Sequence, residues 1–459
     1  MQYVSTRGQA PALDFEQAML TGLARDGGLY VPAEIPRLKH SDILDLAGRP
    51  YEEIALRVMQ PFTDFGEERL GDMIVKSYAG FGHDARAPVK QLGANHFLLE
   101  LFHGPTLAFK DFAMQLIGQL FQDAMTRRGE RITIVGATSG DTGSAAIEAF
   151  KGLDGVECFI MYPHGRVSEV QRRQMTTPSE VNVHALALHG DFDDCQAAVK
   201  HMFNDHAFRD RVGLTAVNSI NWARVLAQVV YYFSAATALG APHRPVSFTV
   251  PTGNFGDVFA GWIAKRMGLP IDRLVIATNS NDILHRTMAT GEHRKNGVHP
   301  TISPSMDIQV SSNFERALFM AYDRDGAAIR TLMEELRAEG GFPVSQGALQ
   351  ALREDFGSGR VSEEETAATI RDIHARTGET LCPHSAVGAK VAEAHLGTSP
   401  MVTLATAHPA KFPDAVEAAT GERPALPPRM ADLFDRSERI TEVPNDVAHI
   451  QSLIEERIS

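Results

Sequence analysis

From Phe97 onward, short apolar runs alternate with segments of helical periodicity, and this alternation constrains the fold more than any other feature of the chain. Each run is followed by a loop and then, usually, by a helical pattern. Such an order is typical of a parallel sheet covered by helices. The predicted strands are 97–101, 132–135, 156–161, 181–188, 247–250, 274–278 and 402–406. The sequence therefore predicts an α/β fold with open, mostly parallel sheets and helices on both faces.

Two regions depart from this alternation. The first 95 residues carry mostly helical patterning and are predicted to form an N-terminal unit, in which residues 26–32 make a turn that leads into a short extended piece. Between about 291 and 378 the strand signal fades into helical and polar sequence, which indicates a helical insertion. The acidic triplet 363–365 within it fits the start of a helix, where negative side chains favour the positive end of the helix dipole.

Composition narrows the class of protein. The 459 residues, 44% hydrophobic and 22% charged, are typical of a globular chain with two or three domains. A net charge of −13 would repel nucleic acid, so we expect no nucleic-acid partner. The apolar stretch 225–241 is short and interrupted by polar residues, so it is expected to be a buried helix and not a membrane span.

The cysteines and the N-terminus bear on the compartment. Cys158, Cys195 and Cys382 lie far apart and in no zinc-binding spacing, which favours a reducing compartment, and we predict no metal. Residues 1–8 lack the pattern of a secretory signal, so the cytoplasm is the expected location. No pattern sets the oligomeric state, and a monomer or homodimer is expected.

Lys110 lies where a predicted strand gives way, through the loop 102–109, to a helical pattern. A lysine forms a Schiff base only when its amine can be neutral, and apolar neighbours such as Phe109 and Phe112 favour the neutral form. By its own sequence Lys110 could equally be a surface lysine at a helix start.

Two glycine-containing loops that each join a strand to a helix are candidate anion sites. The loop 251–257 carries Gly253 and Gly256, which would let backbone N–H groups approach a phosphate at a helix N-terminus. Asp257 would repel that phosphate, so we expect its side chain to turn away and cap the helix. The loop 136–144 also offers N–H groups and hydroxyls, but its glycines do not match a dinucleotide fingerprint. Either loop could be a plain turn.

These segments together resemble those of bacterial and fungal threonine synthases. The resemblance spans about residues 3–412 and rests on motifs at 26–32, 103–112, 136–146, 253–257, 311–316 and 408–413. It implies the tryptophan-synthase-β-like fold, which is fold type II of the pyridoxal-phosphate enzymes. It also implies conversion of O-phospho-L-homoserine and water to L-threonine and phosphate, the last step of threonine biosynthesis.

The resemblance implies domain boundaries and cofactor contacts. The domains would be 1–95, a large cofactor-binding domain of 96–111 and 221–459 that carries the insertion, and a small α/β domain of 112–220. Lys110 would hold pyridoxal 5'-phosphate covalently and move protons among the substrate carbons. Thr406 would hydrogen-bond the pyridine nitrogen as a neutral hydroxyl. The residues implied to cradle the cofactor phosphate are Gly253, Asn254, Phe255, Gly256 and Asp257.

The remaining implied contacts belong to the substrate and to the cofactor's ring hydroxyl. Asp141 would approach that hydroxyl, at a position where related fold-type-II enzymes usually have Asn. Asn221 and Arg224 would read the substrate phosphate, for which the guanidinium fork is well suited. An ion-paired arginine on a helix surface is the alternative for Arg224. The residues implied to bind the substrate carboxylate are Thr138, Ser139, Gly140 and Thr142.

Three rival functions remain open at this level. A lyase of the same fold, acting on a phosphorylated or hydroxylated amino acid without replacement, would share Lys110 and both loops. A nicotinamide dehydrogenase could use the loop at Gly136, although the fingerprint is missing. A non-catalytic binder of phosphate esters is the third, and the presence of Lys110 and Thr406 argues against it.

Overall fold

The protein is described here by a computed structural model that covers residues 1–138, 140–215 and 217–458. The strands are β1 (Tyr3–Ser5), β2 (Tyr30–Pro32), β3 (Val89–Gln91), β4 (His96–Glu100), β5 (Ile132–Ala137), β6 (Val156–Pro163), β7 (Val183–Leu188), β8 (Leu214–Thr215), β9 (Val246–Pro251), β10 (Ile271–Thr278), β11 (Glu292–Arg294), β12 (Gly341–Pro343), β13 (Phe356–Arg360), β14 (Met401–Ala405) and β15 (Thr441–Val443).

Helices connect and cover these strands. They are α1 (Phe15–Thr21), α2 (His40–Leu44), α3 (Tyr51–Met59), α4 (Glu67–Tyr78), α5 (Lys110–Arg128), α6 (Asp141–Phe150), α7 (Glu169–Thr176), α8 (Phe192–Asn204), α9 (His206–Val212), α10 (Trp222–Ala238), α11 (Gly256–Arg266), α12 (Ile283–Thr290), α13 (Phe314–Ala321), α14 (Gly326–Glu339), α15 (Gln346–Asp355), α16 (Glu363–Thr377), α17 (Pro383–Glu393), α18 (Pro413–Thr420) and α19 (Val447–Ile458).

The residues group into two compact units, which are described separately. The first unit contains residues 1–72, 83–103 and 219–424, and the second contains 73–82, 104–218 and 425–459. The three-domain division suggested by the sequence stays a prediction.

The first unit is built on a six-stranded sheet in the order β13-β10-β9-β14-β4-β3. Its strands are parallel except for β3, which runs antiparallel to β4 at the edge. Every residue of β9 and of β14 is buried, as expected for central parallel strands covered on both faces. Because β9, β14 and β4 are adjacent and parallel, their carboxyl ends lie side by side at the same end of the sheet.

The second unit is built on a five-stranded parallel sheet in the order β15-β7-β6-β5-β8. Its core is apolar and includes residues of α8, α9 and α19, such as Met202, Phe208 and Ile454. The C-terminal strand β15 pairs with β7 and so ties residues 441–443 into this sheet. All seven predicted strands are present across the two sheets, with boundaries shifted by a few residues.

The region 291–378 is mainly helical, as predicted, but it also contains three strands that the sequence pattern missed, namely β11, β12 and β13. β13 pairs in parallel with β10 at the edge of the six-stranded sheet. Its sequence, Phe-Gly-Ser-Gly-Arg, has two glycines and no β-branched residue, so it carries no strand signal of its own. The acidic triplet does open a helix, because Ser362 and Glu365 form a capping box at the start of α16.

The apolar stretch considered as a membrane span is the helix α10. Fifteen of its seventeen residues are buried in the protein, which confirms the buried-helix interpretation. In the part of the chain that the structure describes, no helix combines the length and the apolar character that crossing a bilayer would require.

Candidate active site

Lys110 is the first residue of α5, in the second unit. Its side chain is only 12% exposed, and its Nζ lies 3.6 Å from Asp141 Oδ2. Nζ also lies 4.6 Å from the centroid of the Phe109 ring. The alternative of a surface lysine is therefore wrong. The amine is held beside one aromatic ring and one buried carboxylate.

The turn that precedes Lys110 is folded around Asp111. The Asp111 carboxylate, which is fully buried, accepts hydrogen bonds from the N–H and the hydroxyl of Thr106 at 2.8 and 2.6 Å. A Cβ on Gly104 would lie 2.4 Å from the Cβ of Asp111, so the turn closes only with glycine there. Arg429 donates to the Gly104 carbonyl at 2.9 Å from the other side. Asp111 thus fixes the backbone that presents Lys110.

Asp141 is the first residue of α6, and its carboxylate is positioned by Gln171. The Nε2 of Gln171 donates to Asp141 Oδ1 at 2.9 Å, and Asp141 is 4% exposed. Gly140, the residue before it, has a φ of 137°, and a Cβ there would lie 2.4 Å from the Gln171 side chain. Only glycine allows this approach. The other carboxylate oxygen of Asp141 is left facing Lys110.

Thr138 closes the loop that leads into α6. Its hydroxyl oxygen accepts hydrogen bonds from the N–H groups of Gly140 and Gly143, each at 2.9 Å. Thr142 is half-buried in the first turn of α6. Ser139 lies outside the described residues. These two hydrogen bonds hold the side chain of Thr138 at the N-terminus of α6, and a helix N-terminus suits an anion such as a carboxylate.

In the loop after β9, two backbone carbonyls are hydrogen-bonded to the segment just before α13. Ser311 Oγ donates to the Gly253 carbonyl at 2.6 Å, and the backbone N–H of Asn313 donates to the Asn254 carbonyl at 3.0 Å. In a trans peptide the carbonyl and the next N–H point in opposite directions. The N–H groups of Asn254 and Phe255 therefore point away from Ser311 and Asn313.

Phe255 completes this loop as the residue that caps α11. Its φ of 64° is in the left-handed region, and its ring is buried between Phe314 and Phe356 at centroid distances of 5.2 and 5.4 Å. Helix α11 then starts at Gly256, so the N–H groups of its first turn, which cannot bond to carbonyls within the helix, add to those of the loop. This set of donors fits a phosphate group.

Asp257 does not cap α11, in contrast to the expectation from sequence. Its carboxylate accepts hydrogen bonds from the hydroxyls of Tyr231 and Tyr232, at 2.5 and 2.9 Å, and is thereby drawn toward α10. Both tyrosines are fully buried, and burial raises the pKa of each well above its usual range, so both hydroxyls stay protonated donors. Two neutral hydroxyls thus donate to Oδ1 of a carboxylate whose charge would repel a phosphate.

Thr406 follows β14 at the same sheet edge, next to the loop that follows β9. It is buried, and its backbone N–H donates to Ser385 Oγ at 3.1 Å. Ser385 lies in the first turn of α17, where its own N–H is capped by the sulfur of Cys382. This contact fixes the backbone of Thr406 against the N-terminus of α17.

Arg224 lies in the first turn of α10 and is 5% exposed. Burial lowers the pKa of its guanidinium to about 10. Among the residues that the structure describes, Nη1 of Arg224 has no hydrogen-bond partner and the guanidinium forms no salt bridge. The alternative of an ion-paired surface arginine is therefore wrong. A buried cation without an acidic partner is costly, and a bound anion would offset that cost.

Asn221 caps α10 and holds it to the N-terminal segment. Its Oδ1 accepts from the N–H of Ala223 at 3.0 Å, and its Nδ2 donates to the carbonyl of Met19 at 2.8 Å. Asn221 is fully buried. This side chain therefore sets the position of the helix that carries Arg224, and its direct contact with a substrate stays a prediction.

Several residues that support the site had no role in the sequence analysis. They are Asp111, Gln171, Ser311, Asn313, Arg316 and Ser385. Most of their contacts join residues that are far apart in the chain, so no local pattern marks them. Asp111 and the residues of 311–316 gave a signal only as parts of the motifs 103–112 and 311–316, which carry the family resemblance.

Comparison with known proteins identifies the family of this chain. The family model described as "Threonine synthase N terminus" matches residues 2–78, "Pyridoxal-phosphate dependent enzyme" matches 83–331, and "Threonine synthase, C-terminal" matches 385–454. A threonine synthase of Pseudomonas aeruginosa is 54% identical, over 99% of this chain and 98% of the relative.

Solved structures indicate the same family. The pyridoxal-phosphate-bound threonine synthase of Brucella melitensis superposes with a TM-score of 0.98 at 56% identity, over 100% of this chain and 99% of that one. The threonine synthase from yeast gives a TM-score of 0.95 at 38% identity, over 100% and 98%. These findings confirm the predicted fold type, cofactor and enzyme class. The chain belongs to the threonine synthase family of pyridoxal-phosphate-dependent enzymes.

Proposed function

We propose that this chain converts O-phospho-L-homoserine and water into L-threonine and inorganic phosphate, with Lys110 as the residue that holds pyridoxal phosphate. The observation that carries the proposal is the buried guanidinium of Arg224, which has no acidic partner among the described residues. A phosphate on the substrate would supply the opposite charge and match the guanidinium fork. The loop 253–257 offers a separate anion site for the phosphate of the cofactor.

The cofactor contacts are assigned by motif and supported by local geometry. The N–H groups of residues 254–257 would bind the cofactor phosphate, since the carbonyls of Gly253 and Asn254 are held away from them. Asp257 belongs to this set through its backbone only, because its carboxylate is bonded to two tyrosines. Thr406 would contact the pyridine nitrogen as a neutral hydroxyl, an arrangement suited to elimination and replacement.

The substrate contacts are assigned in the same way. The residues implied to bind the substrate carboxylate are Thr138, Ser139, Gly140 and Thr142, at and just before the start of α6, where a helix N-terminus favours an anion. Arg224 would bind the substrate phosphate, and Asn221 would set the position of Arg224. Both phosphate groups would then have their own donors, so that one can leave while the other stays.

Lys110 is proposed to move protons as well as to hold the cofactor. When bound, pyridoxal phosphate withdraws electrons from the α-carbon of the substrate, which makes the protons on the substrate carbons acidic. The Lys110 amine would take such a proton and become an ammonium ion. Asp141 Oδ2, at 3.6 Å, would stabilise that ion, and the attraction between charges so close is about 4 kcal/mol in a partly polar interior. Asp141 therefore favours the protonated form of Lys110.

The variant Asp141→Asn tests this role. It keeps an oxygen for Gln171 but removes the negative charge, so the ammonium form of Lys110 loses support. The Lys110 amine then loses its proton at lower pH. In a plot of kcat against pH, the rise that requires the neutral amine is expected to move to lower pH by one pH unit or more, since a change of about 1.4 kcal/mol corresponds to one pKa unit. Asp123→Asn removes a charge from an exposed ion pair on α5 and should leave the profile unchanged. A profile that coincides with the wild type in Asp141→Asn would contradict the role.

The reaction itself is tested by its products. Purified protein loaded with pyridoxal phosphate is given O-phospho-L-homoserine, and threonine, 2-oxobutyrate and phosphate are measured together. We expect threonine and phosphate in equal amounts. Release of phosphate with 2-oxobutyrate in place of threonine would instead identify an eliminating lyase, and no phosphate release at all would overturn the substrate assignment.

A further inference from the structure

Asn313 contacts two chain segments that carry different parts of the proposed site. It is fully buried at the residue before α13. Its Nδ2 donates to the carbonyl of Asn254 at 3.0 Å and to the carbonyl of Ser219 at 3.0 Å. Asn254 belongs to the loop proposed for the cofactor phosphate, and Ser219 lies just before the helix start that carries Arg224. One carboxamide thus holds both segments.

The orientation of this carboxamide is fixed by Arg316. Nη1 of Arg316 donates to Asn313 Oδ1, so this atom is the amide oxygen and the NH₂ group faces the two carbonyls. Gly256 leaves room for the group, since a Cβ there would lie 3.2 Å from Asn313 Nδ2. The carboxamide therefore has one arrangement that satisfies its acceptor and both of its donors.

Arg316 is itself held by backbone carbonyls. It is fully buried, and its Nη2 donates to the carbonyls of Ile220 and Tyr30 at 2.6 and 2.9 Å. Burial lowers the pKa of its guanidinium to about 9. Arg316 and Asn313 thus hold two consecutive carbonyls, those of Ser219 and Ile220, and connect them to β2 of the N-terminal segment.

The neighbouring Glu315 connects the same segment to the N-terminus of the chain. Its carboxylate accepts from the hydroxyl of Thr6 at 2.6 Å and from the guanidinium of Arg7 at 3.0 and 3.1 Å. The first residues of the chain therefore pack against the start of α13. Their contacts with Glu315 add to those that Ser311 and Asn313 make with residues 253, 254 and 219.

We propose that Asn313 is a positioning residue that sets the separation between the anion-binding N–H groups of loop 253–257 and the guanidinium of Arg224. The inference rests on the proposed function, in which cofactor and substrate each bring a phosphate. Both molecules would occupy one site, so their phosphates would have to be bound at a fixed separation. A single amide bonded to both segments keeps that separation constant.

The test compares Asn313→Ala with Asn95→Ala. Asn95 is a matched control because its Nδ2 also donates to two carbonyls, those of Gly397 and Ser399, at 2.6 and 2.8 Å. It lies just before β4, at the amino ends of the strands, whereas the proposed site lies at their carboxyl ends. Three quantities are measured on the full chain without turnover. They are the Kd of pyridoxal phosphate for the apoenzyme, the Kd of inorganic phosphate for the holoenzyme by calorimetry, and amide hydrogen exchange in 217–224 and 253–258.

In Asn313→Ala both Kd values are expected to rise about tenfold, and exchange should accelerate in both segments together. Asn95→Ala should leave all three quantities at wild-type values. Asn313→Ser, which keeps a shorter donor, should shift them in the same direction by less and serves if the alanine variant does not fold. Unchanged affinities, an effect on one segment only, or equal effects in Asn95→Ala would overturn the inference. None of these measurements depends on threonine formation. The product assay described above tests the proposed reaction on its own, so failure of the reaction and failure of this inference can be distinguished.

Discussion

Replacing Lys110 with alanine is expected to abolish threonine formation and the visible absorption of the lysine-bound cofactor together. The methyl group can neither bind the cofactor aldehyde nor accept a substrate proton, so two roles are lost at once. We expect kcat to fall by on the order of a thousandfold or more, since a positioned acid or base alone contributes about 10²–10⁴. The measurements are an absorption spectrum of the purified variant with added pyridoxal phosphate and an assay of threonine.

Lys110→Arg separates this loss from a loss of folding. Asp141 is buried and lies 3.6 Å from the lysine, so alanine leaves its carboxylate without that cation. Arginine restores a positive charge but cannot give up its proton at ordinary pH. We therefore expect Lys110→Arg to keep the wild-type free energy of unfolding and to lack both the absorption band and the activity. Activity near the wild-type level in either variant, or the visible absorption band of the lysine-bound cofactor, would rule out Lys110 as the residue that holds the cofactor.

The sheet of the first unit illustrates what the sequence could predict. The strands β9 and β14 are buried, mostly apolar runs bounded by turn residues, and their pattern was sufficient to place the loop 253–257 and Thr406 at strand ends. Neighbouring parallel strands end at the same edge, so adjacency of the two loops follows from the fold class. β13 was missed because two glycines in its five residues remove the apolar pattern on which such a prediction depends.

The residues that support the site could not be predicted, because their contacts cross large distances in sequence. Asn313 reaches Ser219, which is 94 residues earlier, and Arg316 reaches Tyr30, which is 286 residues earlier. Asp257 is an instructive case. Its sequence position at a helix start predicted a cap, but two tyrosines from α10 compete for its carboxylate and bind it instead. Packing between elements overrides such local preferences.

Lys110 and Arg224 show why single residues need context. Each had a plausible surface alternative, since lysine and arginine are mostly exposed in proteins. The burial of both side chains removes those alternatives, and burial depends on the whole fold. The cofactor and substrate contacts of these residues stay predictions, but a largely buried amine beside Asp141 and a buried guanidinium without an acidic partner among the described residues are the groups that such contacts require.

Arg224→Met is expected to lower kcat/KM for O-phospho-L-homoserine by about a hundredfold or more. Removing one partner of a buried, hydrogen-bonded charge pair costs about 2–5 kcal/mol, and here the substrate phosphate would be left without its cation. We expect the loss mainly in KM, because the contact would exist before and during the reaction. Binding of pyridoxal phosphate should change little, since its phosphate is assigned to the loop 253–257. Steady-state kinetics and a cofactor titration measure both quantities.

The same variant should be more stable than the wild type, and this outcome separates a binding role from a structural one. The guanidinium of Arg224 is buried without an acidic partner among the described residues, so a methionine of similar length removes an uncompensated charge. The free energy of unfolding without ligand should rise by about 1 kcal/mol or more.

Arg316→Met is the matched control, because Arg316 is equally buried but donates to Tyr30, Ile220 and Asn313. Three acceptors would then lose their donor, and the free energy of unfolding should fall by about 3 kcal/mol. If Arg224→Met destabilised the protein as much as Arg316→Met, Arg224 would be a structural residue and the substrate phosphate would have to bind elsewhere.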